Sequence, residues 1–371
     1  MITEKKTRPG RYVGLVAGLI LLILFLAAPT DTAESAKHGA ELCFSTLVPS
    51  LFPFMVASGL ITGSGAGTVL GKIFSPAMKL FGLPGECATP LVTGILCGFP
   101  VGAVTLSDLY RRGTISSDDG ACLLAFCCYP SVPFLISAVG CGLFGSRSAG
   151  IILAVSVFSA GLLYGAAYGL IRRFFRKDTP LTAPVLPHGS PLKPTGNIFT
   201  EAVANAAGGM ISVCACVIFF SALTGVLCRL GEAAGLTDAS LTFLKIFFEL
   251  TSGSSAAADL GTPAGLILCA AAAGWSGMSV HFQIMSTVPP RISLRPYFFA
   301  KAVQAPLAAL ICRGITYFFP PELISLPGSA AVFGLFPSAP TSDAVLWIAF
   351  GFFILSALIL VRKKLDRSYR I

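Results

Sequence analysis

The chain has 371 residues, of which 54% are hydrophobic and only 12% charged, and its mean hydropathy is +0.81. Soluble domains carry roughly 25% charged residues, so a soluble enzyme or binding domain is excluded and a polytopic membrane protein is expected. The formal charge of +9 would suggest nucleic acid if the basic residues shared one surface. They stand instead in short loops between apolar runs, as orientation signals do, so no nucleic-acid partner is expected. The twelve cysteines are scattered through apolar runs without a CxxC pair, and the three histidines stand apart. Free cysteine behaves as a small buried hydrophobe, so no metal, cofactor or disulfide framework is expected.

Residues 1–12 contain Lys5, Lys6, Arg8 and Arg11, and an apolar run at 13–29 follows. A basic head before an apolar run also fits a cleaved signal peptide; with about seven further membrane segments behind it, a first spanning helix is the expected reading. A second span is predicted at 36–63, holding Ser50-Leu51-Phe52-Pro53-Phe54, and an amphipathic interfacial helix at 68–83.

Residues 94–136 are apolar enough for a membrane but are interrupted at Gly98-Phe99-Pro100-Val101-Gly102 and at Tyr129-Pro130-Ser131-Val132-Pro133. Proline removes a backbone donor and breaks or kinks helices. In hydrocarbon, freed peptide groups are tolerated only where protein or a water-filled cavity covers them. The pattern predicts a re-entrant hairpin at about 88–112 and a broken span at 118–143. A span at 149–171 follows, whose Gly161, Gly165 and Gly169 would let a neighbouring helix approach closely. Residues 172–197, basic and then rich in proline, read as a linker.

The order then repeats: a span at 200–228, a hairpin at about 243–262, a broken span at 265–288, a basic loop at 291–301 and a span at 297–318. A loop at 319–342 and a last span at 343–361 with a basic tail complete the chain. Ser131-Val132-Pro133-Phe134 aligns with Ser279-Val280-His281-Phe282 at constant offset, and Gly98 is matched to Gly253 after a shift in register. With the N-terminus inside and each hairpin returning to its own side, the loops at 111–112, 172–177 and 291–301 and the C-terminus fall in the cytoplasm, as the bias of Lys and Arg requires. Lys37, Arg147, Arg229, Lys245 and Arg313 run against the count. The two halves then enter from opposite sides.

The expected fold is an all-α polytopic membrane protein with two inverted repeats, each holding a re-entrant helical hairpin and a broken transmembrane helix. Its parts are an N-terminal helix (1–30), a first repeat (31–174), a cytoplasmic linker (175–198), an inverted second repeat (199–318), and an extracytoplasmic loop with a C-terminal helix (319–371).

Ionisable residues inside apolar spans are costly and are functional candidates by default. Glu249, Asp259, Asp108 and His281 are therefore candidates for ion or proton coupling, unless they sit at membrane boundaries and face water. Gly98, Pro100, Tyr129, Ser131, Thr251, Ser252, Gly253, Ser254, Ser276, Ser279 and Gln283 lie on or beside the breaks and are the candidates for solute binding. Helix N-termini attract anions and hydroxyls add donors, although a small hydroxyl residue also packs closely and bonds its own backbone. Tyr129 and Trp275, before the two breaks, could stack on a planar ring or anchor at the interface. No catalytic residue is expected. Gly274-Trp275-Ser276-Gly277 resembles the GxSG of intramembrane serine proteases, but Ser276 and His281 stand five apart and point about 140° away from each other on one helix. No nucleotide-binding GxxxxGK[ST] sequence is present.

The chain resembles the YlbJ-like sporulation integral membrane proteins of the nucleoside-recognition (Gate) group. The resemblance covers about 36–318 and rests on Ser50-Leu51-Phe52-Pro53-Phe54, Gly98-Phe99-Pro100-Val101-Gly102-Ala103, Phe126-Cys127-Cys128-Tyr129-Pro130-Ser131, Glu249-Leu250-Thr251-Ser252-Gly253 and Ser279-Val280-His281-Phe282-Gln283. It implies a role in endospore formation, in a multi-pass cell or forespore membrane, and passage of a small solute, with dipicolinic acid the proposed cargo. Cys127-Cys128-Tyr129 departs from the asparagine-rich tip expected there. The partners expected are a small-molecule solute, membrane lipid, and a second copy or spore-envelope proteins. A nucleoside-type transporter, or a non-transporting gate or scaffold protein of spore maturation, is the alternative.

Overall fold

The computed structural model describes residues 8–64, 66–175 and 197–319. The proline-rich part of the linker, the loop at 319–342 beyond its first residue, and the last span at 343–361 lie outside the described residues. Within them every regular element is a helix: α1 (Arg8–Ala27), α2 (Pro29–Leu42), a π-helical turn (Cys43–Leu47), α3 (Val48–Gly63), α4 (Ala66–Leu80), a 3₁₀ turn (Gly85–Cys87), α5 (Ala88–Cys97), α6 (Phe99–Arg111), α7 (Ser117–Cys127), a π-helix (Phe134–Leu143), α8 (Arg147–Phe175), α9 (Ile198–Ala233), α10 (Asp238–Phe248), α11 (Leu250–Ala258), α12 (Ala264–Trp275), α13 (Gly277–Thr287) and α14 (Arg295–Phe318). Four stretches are long and apolar enough to cross a membrane, and two pairs bent by 100° raise that to six. This is an all-α polytopic membrane protein.

The first two spans differ from expectation. Helix α1 ends at Ala27, and the chain turns by 100° into α2. The stretch 30–35, between the first apolar run and the predicted second span, is already helical: Pro29 occupies the first turn, where its missing N–H costs nothing. Helix α1 leaves Leu15, Ile23 and Leu26 exposed, the lipid-facing pattern of an apolar helix at the edge of a bundle. Helix α4 matches the predicted amphipathic segment, burying Met78 while Val69, Ile73 and Phe74 stay exposed.

Both hairpins form, and each turns on a single residue. Gly98 separates α5 from α6 at φ 92° and ψ 179°, a conformation that favours glycine. Glu249 separates α10 from α11 with extended backbone. The second break therefore lies at Glu249 and not at Ser252–Ser255, and Glu249, not Gly253, is the counterpart of Gly98. Four residues after each break a glycine permits the arms to meet. A Cβ on Gly102 would stand 3.0 Å from the Cα of Gly94, and one on Gly253 2.5 Å from the Cα of Ile246.

Both broken helices form as well. After α7 the backbone is irregular across Cys128–Ser131 before it resumes into the π-helix. Between α12 and α13 the break is one residue, Ser276, in the left-handed conformation. Ser131 and Ser279 stand 148 positions apart, and so do the first residues of α8 and α14, Arg147 and Arg295. The packing is reciprocal too. Helix α7 lies against α14 as α12 lies against α8, and α6 lies against α13 as α11 lies against the π-helix. Reciprocal contacts of this kind are what a two-fold relation between two copies produces.

Inside a bilayer the lipid is as apolar as the side chains, so close packing and satisfied polar groups carry the association of helices. The glycines of α8 show this, though not as expected. Gly161 and Gly165 receive the rings of Tyr129 and Phe126 from the broken helix, and of these three only Gly169 meets backbone, at Phe81.

Candidate functional site

The two hairpin tips and the two broken helices meet around one small cavity of about 30 Å³, roofed by apolar side chains of α3 and α9. Gly98, Pro100, Ser131, Glu249, Thr251, Ser279 and Gln283 line it, with Leu47, Leu51, Met55, Val213 and Val217 as the apolar wall. A void of this size has room for about one or two water molecules, so the site is closed in this conformation.

The two tips are chemically unlike. Glu249 is 1% exposed. Its Oε1 accepts from the Thr251 N–H at 2.9 Å and its Oε2 from the Ser252 N–H at 2.6 Å, so the carboxylate closes the N-terminus of its own helix. At the matching place in the first hairpin Gly98 has no side chain, and α6 has no side-chain cap. Pro100 lacks an N–H, so Phe99 and Val101 carry the first uncapped donors of α6. Across the cavity, Ser279 Oγ and Gln283 Oε1 are buried with no hydrogen-bond partner. One turn apart on α13, they leave donor and acceptor capacity facing the cavity. Ser131 is partly used: its Oγ accepts from the Phe134 N–H at 3.2 Å, restarting the helix after the break, which leaves its hydroxyl proton and one lone pair.

Several expected residues lie elsewhere. Asp108 is exposed and pairs with Arg111 on the surface at 3.2 Å. Asp259 is exposed in the turn after α11. His281 is buried, but its Nδ1 bonds the Tyr297 hydroxyl at 2.8 Å, and it does not line the cavity. Tyr129 packs against α8, edge-on to Phe158. Trp275 stacks on Phe247 and donates its indole N–H to the Phe247 carbonyl at 3.1 Å, which binds the second hairpin to the second broken helix. Ser276 Oγ bonds the Ala273 carbonyl at 3.1 Å, so the structure does not pair it with His281. Ser252, Gly253 and Ser254 follow the cap inside α11 and do not reach the cavity.

Two polar clusters were not foreseen. Lys301, where the predicted basic loop at 291–301 overlaps the predicted span at 297–318, lies inside α14 and is 1% exposed. Its Nζ donates to the Cys128 carbonyl at 2.5 Å and stands 5.5 Å from the centre of the Tyr129 ring. One turn on, Gln304 Nε2 donates to the Ala125 carbonyl at 2.8 Å. Both satisfy carbonyls that the break in α7 sets free. At the start of the same helix, Asp119 binds Arg172 of α8 at 2.5 Å, with both side chains largely buried, while Ser116 caps α7 through the Asp119 N–H. Ser116-x-x-Asp119 was a readable capping signal; that Arg172 would reach it was not.

A family model described as Gate, nucleoside recognition, matches residues 44–147, the stretch that holds α3, the first hairpin and the first broken helix. The "Sporulation integral membrane protein YlbJ" of Bacillus subtilis (strain 168) is 28% identical, over 79% of this chain and 79% of that protein. No solved structure matches. The chain is thus similar to a YlbJ-type sporulation membrane protein over most of its length and to the Gate model over its first half, as the motifs implied.

Proposed function

We propose that this chain is a secondary transporter, or the permease component of one, for a small anionic or heterocyclic solute, acting in a membrane of the sporulating cell. The observation that carries the reading is the cavity itself, bounded by two helix breaks and two hairpin tips, with the unpartnered Ser279 hydroxyl and Gln283 Oε1 upon it. Broken helices that meet at such a place supply dipoles and uncovered peptide groups for a solute. The uncapped end of α6 suits a carboxylate or another acceptor. Glu249, Ser279 and Gln283 suit a group that brings donors. The halves are read as inverted repeats, both termini as cytoplasmic, and dipicolinate as the first cargo to try, because the resemblance suggests it.

The test is uptake of labelled dipicolinate and of nucleosides into proteoliposomes holding the purified full chain. Saturable flux of one of these, lowered at least several-fold by Ser279→Ala and by Gln283→Ala in folded protein, supports transport. A second reading, a gate or scaffold that carries nothing, has one observation in its favour: a cavity of about 30 Å³ is smaller than any of these solutes. It gains if no candidate crosses.

A further inference from the structure

Two side chains that are charged in water lie nine-tenths or more buried where the broken helices meet: Glu249 and Lys301, each 1% exposed. Neither forms an ion pair with a described residue. The other buried charges, Asp119 and Arg172, neutralise each other, and His281 bonds Tyr297. A charge inside a membrane protein persists only where dipoles, hydrogen bonds or an opposite charge offset its lost hydration. Glu249 has the N-terminus of α11. Lys301 has the carbonyl end of α7 and the faces of Tyr129 and Tyr297, and both a helix C-terminus and an aromatic face favour a cation.

The negative member of this pair lines the cavity, and the positive member does not. A cavity with a carboxylate in its wall and no cation beside it would repel the anion that the α6 tip is suited to hold. We infer that Lys301 is the positioning residue that makes the cavity tolerate an anion: it holds the broken end of α7 in place, and its ammonium offsets the field of Glu249. This deepens the transport reading and rests on it. Lys301 is held at Cys128, three residues before the cavity-lining Ser131, at most about 10 Å of extended chain. A full charge at about that range, at an effective dielectric constant of about 20, changes an anion's affinity on the order of tenfold, and leaves a neutral ligand of the same shape nearly untouched.

The experiment measures equilibrium binding of pyridine-2-carboxylate and its neutral isostere pyridine-2-carboxamide to the full chain in nanodiscs. Lys301→Gln keeps a donor for the Cys128 carbonyl and removes the charge; it is expected to lower the affinity ratio of acid to amide about tenfold. Lys301→Arg should keep the ratio. Glu249→Gln alone should raise it, and the double variant should return it towards the wild-type value, which a purely structural Lys301 would not produce. Equal losses for acid and amide, or a double variant no better than Lys301→Gln, overturn the inference and leave transport standing. If Lys301→Gln fails to fold, an unchanged ratio in Glu249→Gln overturns it. Folded wild-type protein that binds neither compound and moves no solute overturns both readings.

Discussion

Glu249 tests whether the second hairpin tip is held as the geometry indicates. Glu249→Ala removes the acceptor of two N–H groups, at 2.9 and 2.6 Å, in a position 1% exposed. Each buried donor left without a partner costs about 1–3 kcal/mol. Loss of a buried carboxylate gives some of that back, because its dehydration is a standing cost of the wild type. The net expectation is destabilisation by about 2–4 kcal/mol. Glu249→Gln retains one acceptor and should lose about half as much. Thermal unfolding in one detergent gives the ranking, and hydrogen exchange locates it: the Thr251 and Ser252 amides should lose protection while those of α14 do not. An alanine variant that melts with the wild type and keeps both amides protected would refute the capping role.

Three further outcomes follow from packing and charge. A Cβ on Gly94 would overlap the Cys127 carbonyl oxygen, backbone against backbone, so Gly94→Ala should cost about 3 kcal/mol or more. Gly208, with nothing within 4 Å of its Cβ position, should accept alanine with a gain of up to about 1 kcal/mol; thermal melting compares the two. Asp119→Ala strands Arg172 in a partly buried position and should cost about 3–5 kcal/mol by the same assay. Asp108→Asn and Asp259→Asn, both at exposed residues, should leave melting and flux unchanged within about 0.5 kcal/mol. A loss of flux in either would restore those aspartates as site residues.

What the sequence made legible was backbone chemistry. Gly98 and the prolines at 130 and 133 interrupt apolar runs, and an interruption in hydrocarbon has few physical outcomes, so hairpins and broken helices could be placed to within a few residues. The second hairpin was misregistered because Ser252-Gly253-Ser254-Ser255 reads as a break by composition. Helix α11 runs straight through it, since Glu249 supplies the cap three residues earlier. Small residues there serve the close crossing of the two arms, which leaves the same signature as a turn. Lys301, where the predicted basic loop and the span at 297–318 overlap, was given no interior role for a related reason. A basic residue within a few positions of a proline and two arginines looks like loop, and only the carbonyls at Ala125 and Cys128, more than 170 positions away, give it an interior role. The part of the apolar wall that α9 supplies carried no signal, because Val213 and Val217 are indistinguishable in sequence from any lipid-facing neighbour.

The two halves share an order of elements but satisfy their breaks differently, and this difference can be measured. The break after α7 spans Cys128–Ser131 and frees several carbonyls, so α14 must reach in with Lys301 and Gln304. The break after α12 is Ser276 alone, whose N–H bonds the Ala272 carbonyl and whose hydroxyl bonds that of Ala273, so it needs no outside donor. Accordingly, the residues of α8 that stand 148 positions before Lys301 and Gln304 are Leu153 and Ser156, and Ser156 Oγ bonds the Ile152 carbonyl of its own helix. If this account holds, Gln304→Leu leaves the Ala125 carbonyl unpaired in a dry interior and costs about 2–3 kcal/mol. Ser156→Ala removes a bond from a carbonyl that α8 already engages, and costs less than about 1 kcal/mol. Equal losses on thermal unfolding would mean that α14 does not hold the first break. The first broken helix would then be as free to move as the second when the cavity opens.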